Sequence, residues 1–115
     1  SLEVIKEHLD RAIAEAGLSE EEGYQLKSCA CELVVNAVEA GSPELRVIIE
    51  AGARDVLLTA INAGRVEELP GRMPDPESRR GRGIELTKKY VDDFLFLSTN
   101  DQVIVTIRKA RRSQA

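Results

Sequence analysis

The sequence predicts an α/β (α+β) two-layer sandwich, in which three helices cover one face of a mixed or antiparallel sheet. Apolar residues have helical spacing in the first part of the chain and strand-like alternation later. Helix start and stop signals bound the early helices, and short polar turns join the predicted strands. A length of 115 residues is typical of one domain with a single core. We therefore interpret residues 1–115 as one domain.

Two helices are predicted near the N-terminus. The first has apolar residues at helical spacing and is followed by Gly17, where a C-terminal cap is expected. Its apolar residues are Ile5, Leu9, Ala12, Ile13 and Ala16. Ser19 and Glu22 form a capping box, which predicts that a second helix begins there and continues to about Ala40.

The second predicted helix has apolar residues on two sides. One stripe consists of Leu26, Cys29, Ala30, Leu33 and Ala37. Cys31, Val35 and Val38 lie on the opposite side. We expect the sheet to cover the first side, and the first helix or a second subunit to cover the other. The two cysteines point in different directions and are expected to be reduced thiols.

Four strands are predicted in two pairs. Segments 45–50 and 56–62 alternate and are joined by the turn Gly52-Ala53-Arg54-Asp55. Segments 94–98 and 103–108 form the second pair, and a third helix is expected at about 84–91. We interpret the proline-containing, charged segment 64–80 as a lid over a binding site, since compact domains seldom leave so long a loop without a function. A basic tail, 109–115, is expected to be frayed.

Composition excludes several classes of partner. The net charge is -4, the isoelectric point is about 5.1, and only two Tyr and two Phe residues are present, which argues against nucleic acid. No apolar stretch approaches the roughly 20 residues that span a bilayer. The N-terminal residues do not resemble a signal peptide. The sequence therefore predicts a cytoplasmic protein that binds neither nucleic acid nor membrane.

Gly81-Arg82-Gly83 is a candidate anion site because it precedes the third predicted helix. The first turn of a helix has unpaired N–H groups and the positive end of the helix dipole, and glycine permits close approach. A Gly-x-Gly turn also has purely structural uses. A nucleotide phosphate is the expected anion.

Three polar residues border the predicted core. Glu32 and Asn36 are four residues apart on one helix face, where Asn offers a neutral oxygen to Mg²⁺ and Glu can accept a proton. They can equally be polar residues that border a core. Asn62 lies at the end of a strand on its core-facing side, where its amide must bind a ligand or stabilise the turn at Gly64.

These segments resemble the conserved boxes of the gyrase, heat-shock chaperone, histidine kinase and mismatch-repair ATPase superfamily. The matching stretches are Glu32-Leu33-Val34-Val35-Asn36-Ala37, Ile61-Asn62-Ala63-Gly64 and Gly81-Arg82-Gly83-Ile84-Glu85-Leu86. Within that superfamily, the short chain, the Gly-Arg-Gly-Ile turn and Tyr90-Val91-Asp92-Asp93 are most similar to bacterial anti-sigma-factor serine kinases.

The resemblance implies an ATP-dependent protein-serine kinase that uses Mg²⁺. Asn36 would bind the metal, Glu32 would act as general base, and Gly81, Arg82 and Gly83 would hold the phosphates. Asn62 and Gly64 would lie at the base end of the nucleotide. The implied partners are a sigma factor and an anti-anti-sigma protein, and the implied assembly is a homodimer. Arg82 could instead contact a partner protein.

Two departures from the family pattern lie at the base end. The family has an Asp that accepts a hydrogen bond from the adenine amino group, where this chain has Asn62. A late Thr that supports the same contact is replaced by Val103, and the family's opening strand is not recognisable. A neutral acceptor in place of the carboxylate should weaken binding by about 1 kcal/mol.

Two alternatives stay open. The chain could be a non-catalytic or weakly nucleotide-binding protein-interaction module of the same fold. It could also be the catalytic domain of a histidine kinase, although His8-Leu9-Asp10 lacks the acidic residue that usually adjoins a phosphoacceptor histidine.

Overall fold

The computed structural model describes residues 2–39, 44–63, 85 and 87–112. Two long helices come first, and four strands follow. The helices are α1, Leu2–Ala16, and α2, Glu20–Glu39. The strands are β1, Leu45–Ala51, β2, Asp55–Ala63, β3, Asp93–Ser98, and β4, Gln102–Ala110. Residues 85 and 87–90, which lie within the predicted third helix, are also helical.

Both early helices have the predicted caps. Gly17 ends α1 with a φ of 71°; its N–H donates to Ala14 O at 3.2 Å, and the Leu18 N–H donates to Ile13 O at 3.1 Å. This pair of bonds is the Schellman arrangement, which needs a left-handed residue that glycine supplies without strain. At the start of α2, the Ser19 N–H donates to Glu22 Oε1 at 2.8 Å, and the Glu22 N–H donates to Ser19 Oγ at 3.1 Å. The capping box is therefore confirmed.

The four strands form one antiparallel sheet in the order β1-β2-β4-β3. β2 and β4 are its central strands, and their buried residues alternate along the chain. Val56 and Leu58 of β2 and Ile107 of β4 are fully buried, because they face the helices. An α+β sandwich with an antiparallel sheet confirms the predicted fold class.

The core lies between α1, α2 and the helix-facing side of the sheet. Its fully buried large side chains include Leu9 of α1, Leu26 of α2 and Leu58 of β2. Gly23 of α2 lies close against Ile13 of α1, where a Cβ atom would come within 3.0 Å of the Ile13 side chain. The two helices therefore pack closely near the start of α2.

The second apolar side of α2 is less covered than predicted. Val35 is 39% exposed and Val38 is 68% exposed. Cys31, the third residue of this side, is half-buried, and residues from the N-terminal half of α1 line a groove together with Val35 and Val38. Within the described residues, the first helix therefore covers this side only in part, and the predicted second subunit stays a prediction.

The predicted basic tail begins later than expected. β4 continues to Ala110, and Lys109 is only 6% exposed, so both residues belong to the sheet. Hydrogen bonds from their backbone N–H groups hold the next two residues: the Arg111 N–H donates to Arg54 O at 2.6 Å, and the Arg112 N–H donates to the side-chain Glu22 Oε2 at 2.9 Å. These contacts correct the prediction that the chain is frayed from residue 109. Residues 113–115 lie outside the described part.

Across the helices that the structure describes, none has the length and apolar character needed to cross a bilayer.

Glu22 provides a pH-dependent test of this fold. Burial acts to raise the pKa of the Glu22 carboxyl, but the hydrogen bonds from Ser19 and Arg112 outweigh it, and the net pKa lies below the ordinary 4.5. Its stabilisation is therefore present above the unfolded-state pKa and is lost as pH falls through the folded-state pKa.

We expect Glu22→Gln to lower the free energy of unfolding at neutral pH by about 1 kcal/mol. The difference from the wild type should shrink as pH falls below 4.5. Urea unfolding at a series of pH values measures both effects, and Glu21→Gln, at an exposed neighbouring position, is the control. A difference that stays constant across the acidic range would contradict the linkage.

Candidate functional site

The C-terminal half of α2 buries an asparagine side chain. Asn36 is only 6% exposed, and neither its Nδ2 nor its Oδ1 has a hydrogen-bond partner within the described residues. Buried side-chain amides almost always have partners, because an unpaired polar group in a dry layer is costly. Within the described residues, both polar atoms of the Asn36 side chain are therefore buried and unpaired.

Glu32 lies one helical turn before Asn36. The spacing of four residues places both on one face of α2, as the sequence predicted. Glu32 is half-buried, whereas Asn36 is buried. A carboxylate that retains contact with solvent beside a buried amide can receive a proton and release it.

Asn62 lies on the helix-facing side of the sheet. It follows Val56, Leu58 and Ala60 in the helix-facing row of β2, and its buried Oδ1 has no partner among the described residues. The strand register places Asn62 directly opposite Val103 of β4. The two departures at the base end of the family pattern are therefore neighbours in space.

The chemistry of the two asparagines fits a magnesium nucleotide. A neutral amide oxygen is a suitable ligand for a hard cation, so Asn36 Oδ1 fits Mg²⁺. Asn62 Oδ1 fits a ligand that donates an N–H, whereas the buried valine beside it offers only apolar contact. Among the described residues, there is no cluster of three or more His, Cys, Asp or Glu side chains that could bind a metal ion.

Cys29 connects α2 to the short helical segment that follows the predicted phosphate turn. Its thiol Sγ donates to the carbonyl oxygen of Thr87 at 3.7 Å. Burial raises the pKa of the Cys29 thiol to about 11, so the thiol is protonated at neutral pH. Cys29 is therefore a neutral packing and hydrogen-bonding group, as the reduced-thiol interpretation expects.

Lys109 is a buried cation that the sequence analysis missed. Its Nζ donates to the carbonyl oxygen of Tyr90 at 2.6 Å and to Gln25 Oε1 at 2.7 Å. It thereby joins β4, α2 and the end of the 87–90 helical segment, where a cation also interacts well with the helix dipole. The alternation of buried residues along β4 could have predicted its burial, because Lys109 continues the row formed by Val103, Val105 and Ile107.

The other predicted site residues cannot be placed. Gly64, the lid segment 64–80 and Gly81-Arg82-Gly83 lie outside the described residues. The structure does bring Glu32 and Asn36 to one face of α2 and Asn62 to the facing side of the sheet. His8, the histidine of the histidine-kinase alternative, is exposed on α1.

The sequence matches a known protein family. The family model described as a histidine kinase-like ATPase domain matches residues 1–109, which is nearly the whole chain. No curated protein matches the chain. The α+β sandwich with its antiparallel sheet agrees with that family assignment. The chain belongs to the family of histidine kinase-like ATPase domains.

Proposed function

We propose that this domain binds Mg-ATP in the layer between α2 and the sheet. The observation that supports the proposal most strongly is the Asn36 side chain, which is buried while both of its polar atoms lack partners among the described residues. A bound nucleotide with its metal would satisfy both atoms and remove the cost of their burial. The family assignment independently supports an ATP-binding role.

The proposed roles combine the chemistry of each residue with the roles that the family resemblance implies. Asn36 would hold Mg²⁺ through Oδ1, and Asn62 would accept a hydrogen bond from the base. Gly81-Arg82-Gly83 would supply backbone N–H groups to the phosphates. The bound metal would neutralise negative charge on the phosphates, which is a main requirement of phosphoryl transfer.

We further propose that the transfer is to a protein serine. Glu32 would then accept the proton of the attacking hydroxyl, since its carboxylate lies on the same helix face as Asn36 and keeps contact with solvent. The Gly81-Arg82-Gly83-Ile84 turn and Tyr90-Val91-Asp92-Asp93 support an anti-sigma-factor kinase. Its partners would be a sigma factor and an anti-anti-sigma protein, in the cytoplasm, and its assembly a homodimer.

The residues at the proposed base end of the nucleotide favour a second function. Asn62 is a neutral acceptor, and its cross-strand neighbour Val103 is buried and apolar. Weakened contact with the base favours a protein-interaction module that binds nucleotide poorly and regulates a partner without phosphorylating it. The kinase transfers a phosphoryl group and the module does not, whereas both can bind a partner protein.

Isothermal titration calorimetry with Mg-ATP tests the proposed site. We expect measurable binding to the wild type and a loss of affinity of about tenfold or more in Asn36→Ala, because the variant lacks the metal-binding oxygen. Asn100→Ala, in the exposed turn between β3 and β4, is the matched control and should bind like the wild type. Absence of heat from the wild type at millimolar nucleotide would refute ATP binding.

Radiolabel transfer from ATP to an anti-anti-sigma protein separates the kinase from the module. We expect Glu32→Gln to slow transfer by about 10² to 10⁴ fold while ATP and partner binding persist, because only the proton acceptor is removed. Glu20→Gln, an exposed position in the first turn of α2, should transfer at the wild-type rate.

Each other outcome of the transfer assay has a definite meaning. A wild type that binds partner and nucleotide without transfer would favour the module. Undiminished transfer by Glu32→Gln would refute the role assigned to this carboxylate.

A further inference from the structure

We propose that a polar cleft at the start of α2 is a second ligand site, which binds a small anion with two or more phosphate or carboxylate groups. The cleft has a volume of about 690 Å³ and lies where the end of α1, the start of α2, the β1–β2 turn and the residues after β4 meet. Small-molecule sites have volumes of roughly 300–1,000 Å³. The inference goes beyond the proposed nucleotide binding and does not depend on it.

Three arginines line this cleft. Arg54 lies in the turn between β1 and β2, and Arg111 and Arg112 follow β4. In the part of the chain that the structure describes, none of the three guanidinium groups makes an ion pair or a hydrogen bond. A guanidinium group binds phosphate and carboxylate groups well, because its N–H donors match their paired oxygens. Three unpaired guanidinium groups around one cavity therefore favour an anionic ligand.

Most carboxylates near the cleft already have partners. Both carboxylate oxygens of Glu22 accept backbone N–H groups. Asp55, at the start of β2, pairs with Arg108, whose Nε lies 2.8 Å from Asp55 Oδ2. Glu21 lines the cleft and is exposed, and it forms no ion pair with any described residue. The cleft therefore has an excess of positive charge, although the whole chain has a net charge of -4.

Lys109 adds a buried positive charge beside the cleft. Its Nζ donates to Gln25 Oε1 at 2.7 Å, and Gln25 lines the cleft. Its other acceptor, the carbonyl oxygen of Tyr90, is also neutral. Glu22 interacts with Lys109 electrostatically, but within the described ranges the two form no ion pair. Because a buried cation is costly without a counter-ion, an anion beside Gln25 would stabilise this part of the fold.

Backbone contacts already order the arginines. The Arg111 N–H donates to Arg54 O at 2.6 Å, and the Arg112 N–H donates to the Glu22 carboxylate. The Arg111 guanidinium lies over the end of α1, where its Nη1 is 2.9 Å from the position that a Cβ atom would have on Gly17. A ligand that meets groups with ordered backbones loses less conformational entropy on binding. The cleft is therefore partly preorganised.

The cleft and the proposed nucleotide site lie at opposite ends of the sandwich. Arg54 precedes β2 and Arg111 follows β4, whereas Asn62 lies near the end of β2. On α2, Gln25 precedes Asn36 by about three helical turns, or roughly 16 Å along the axis. A small anion in the cleft would therefore leave the two asparagines free for another ligand.

Calorimetric titration of the full chain with pyrophosphate and with citrate, both without magnesium, tests the site. We expect binding of at least one anion, and the tighter of the two identifies phosphate or carboxylate as the preferred group. Arg54→Gln and Arg112→Gln should each raise the dissociation constant about fivefold or more, because each removes a charge-assisted contact. Arg46→Gln, an exposed position in β1 with the same change in charge, should bind like the wild type.

A variant with the opposite expected effect separates binding from loss of structure. Glu21→Gln removes a negative charge that would repel the ligand, so the dissociation constant should fall about two- to threefold. A variant that had only lost structure would not bind more tightly. Urea unfolding verifies that all of these variants are folded.

Backbone ¹H–¹⁵N NMR locates the bound anion. The amide resonances of Gly17 and Arg111 should shift and saturate during the titration, whereas the Asn36 side-chain amide should stay nearly unchanged. Sodium chloride at the same ionic strength should cause no saturating shift, because it only screens the charges. The Asn36→Ala variant should bind the anion like the wild type.

Several results would overturn the cleft proposal. These are a wild type that binds neither anion at millimolar concentration, arginine variants with unchanged affinity, and shifts at Gly17 that sodium chloride reproduces. Saturating shifts at Asn36 in place of Gly17 would also overturn it. A chain that binds an anion in the cleft but does not bind Mg-ATP would refute the nucleotide proposal alone, and the reverse result would refute the cleft alone.

Discussion

The packing of α2 against the central strands β2 and β4 is the interaction on which the rest of the structure depends. Leu26 of α2, Leu58 of β2 and Ile107 of β4 are completely buried in this layer. Burial of each such side chain contributes roughly 1.5–3 kcal/mol. The capping box at Ser19 begins α2 in the correct position, and Lys109 connects it to β4 and to the 87–90 segment through Gln25 and Tyr90.

That dry layer also gives the site its chemistry. Asn36 of α2 and Asn62 of β2 place amide atoms at its margin, and no described residue pairs with Asn36 or with Asn62 Oδ1. An apolar core of this size has no structural need for these groups, and leaving them unpaired costs free energy. A ligand that binds both would recover that cost. The stability of the fold is therefore connected to ligand binding at the proposed nucleotide site.

Local rules predicted most of the fold, because its signals lie within a few residues of one another. Ser19 with Glu22 and the glycine after α1 specify the helix ends, and alternation specifies the strands. The pairing of Asn62 with Val103 depends on the sheet register, which the sequence implies only through the resemblance.

The burial of Lys109 was not predicted, because a charged residue beside a basic tail is usually exposed to solvent. The exposure of Val35 and Val38 depends on how α1 crosses α2, which no local pattern reveals.

The most direct test of the account follows the side-chain amides of the two asparagines by ¹H–¹⁵N NMR during titration with Mg-ATP. If a nucleotide satisfies these buried groups, the Asn36 and Asn62 side-chain resonances should shift in parallel and saturate together. The exposed Asn100 amide should stay nearly unchanged. Shifts confined to other residues, or no shift of Asn36 at saturating nucleotide, would contradict the proposed site.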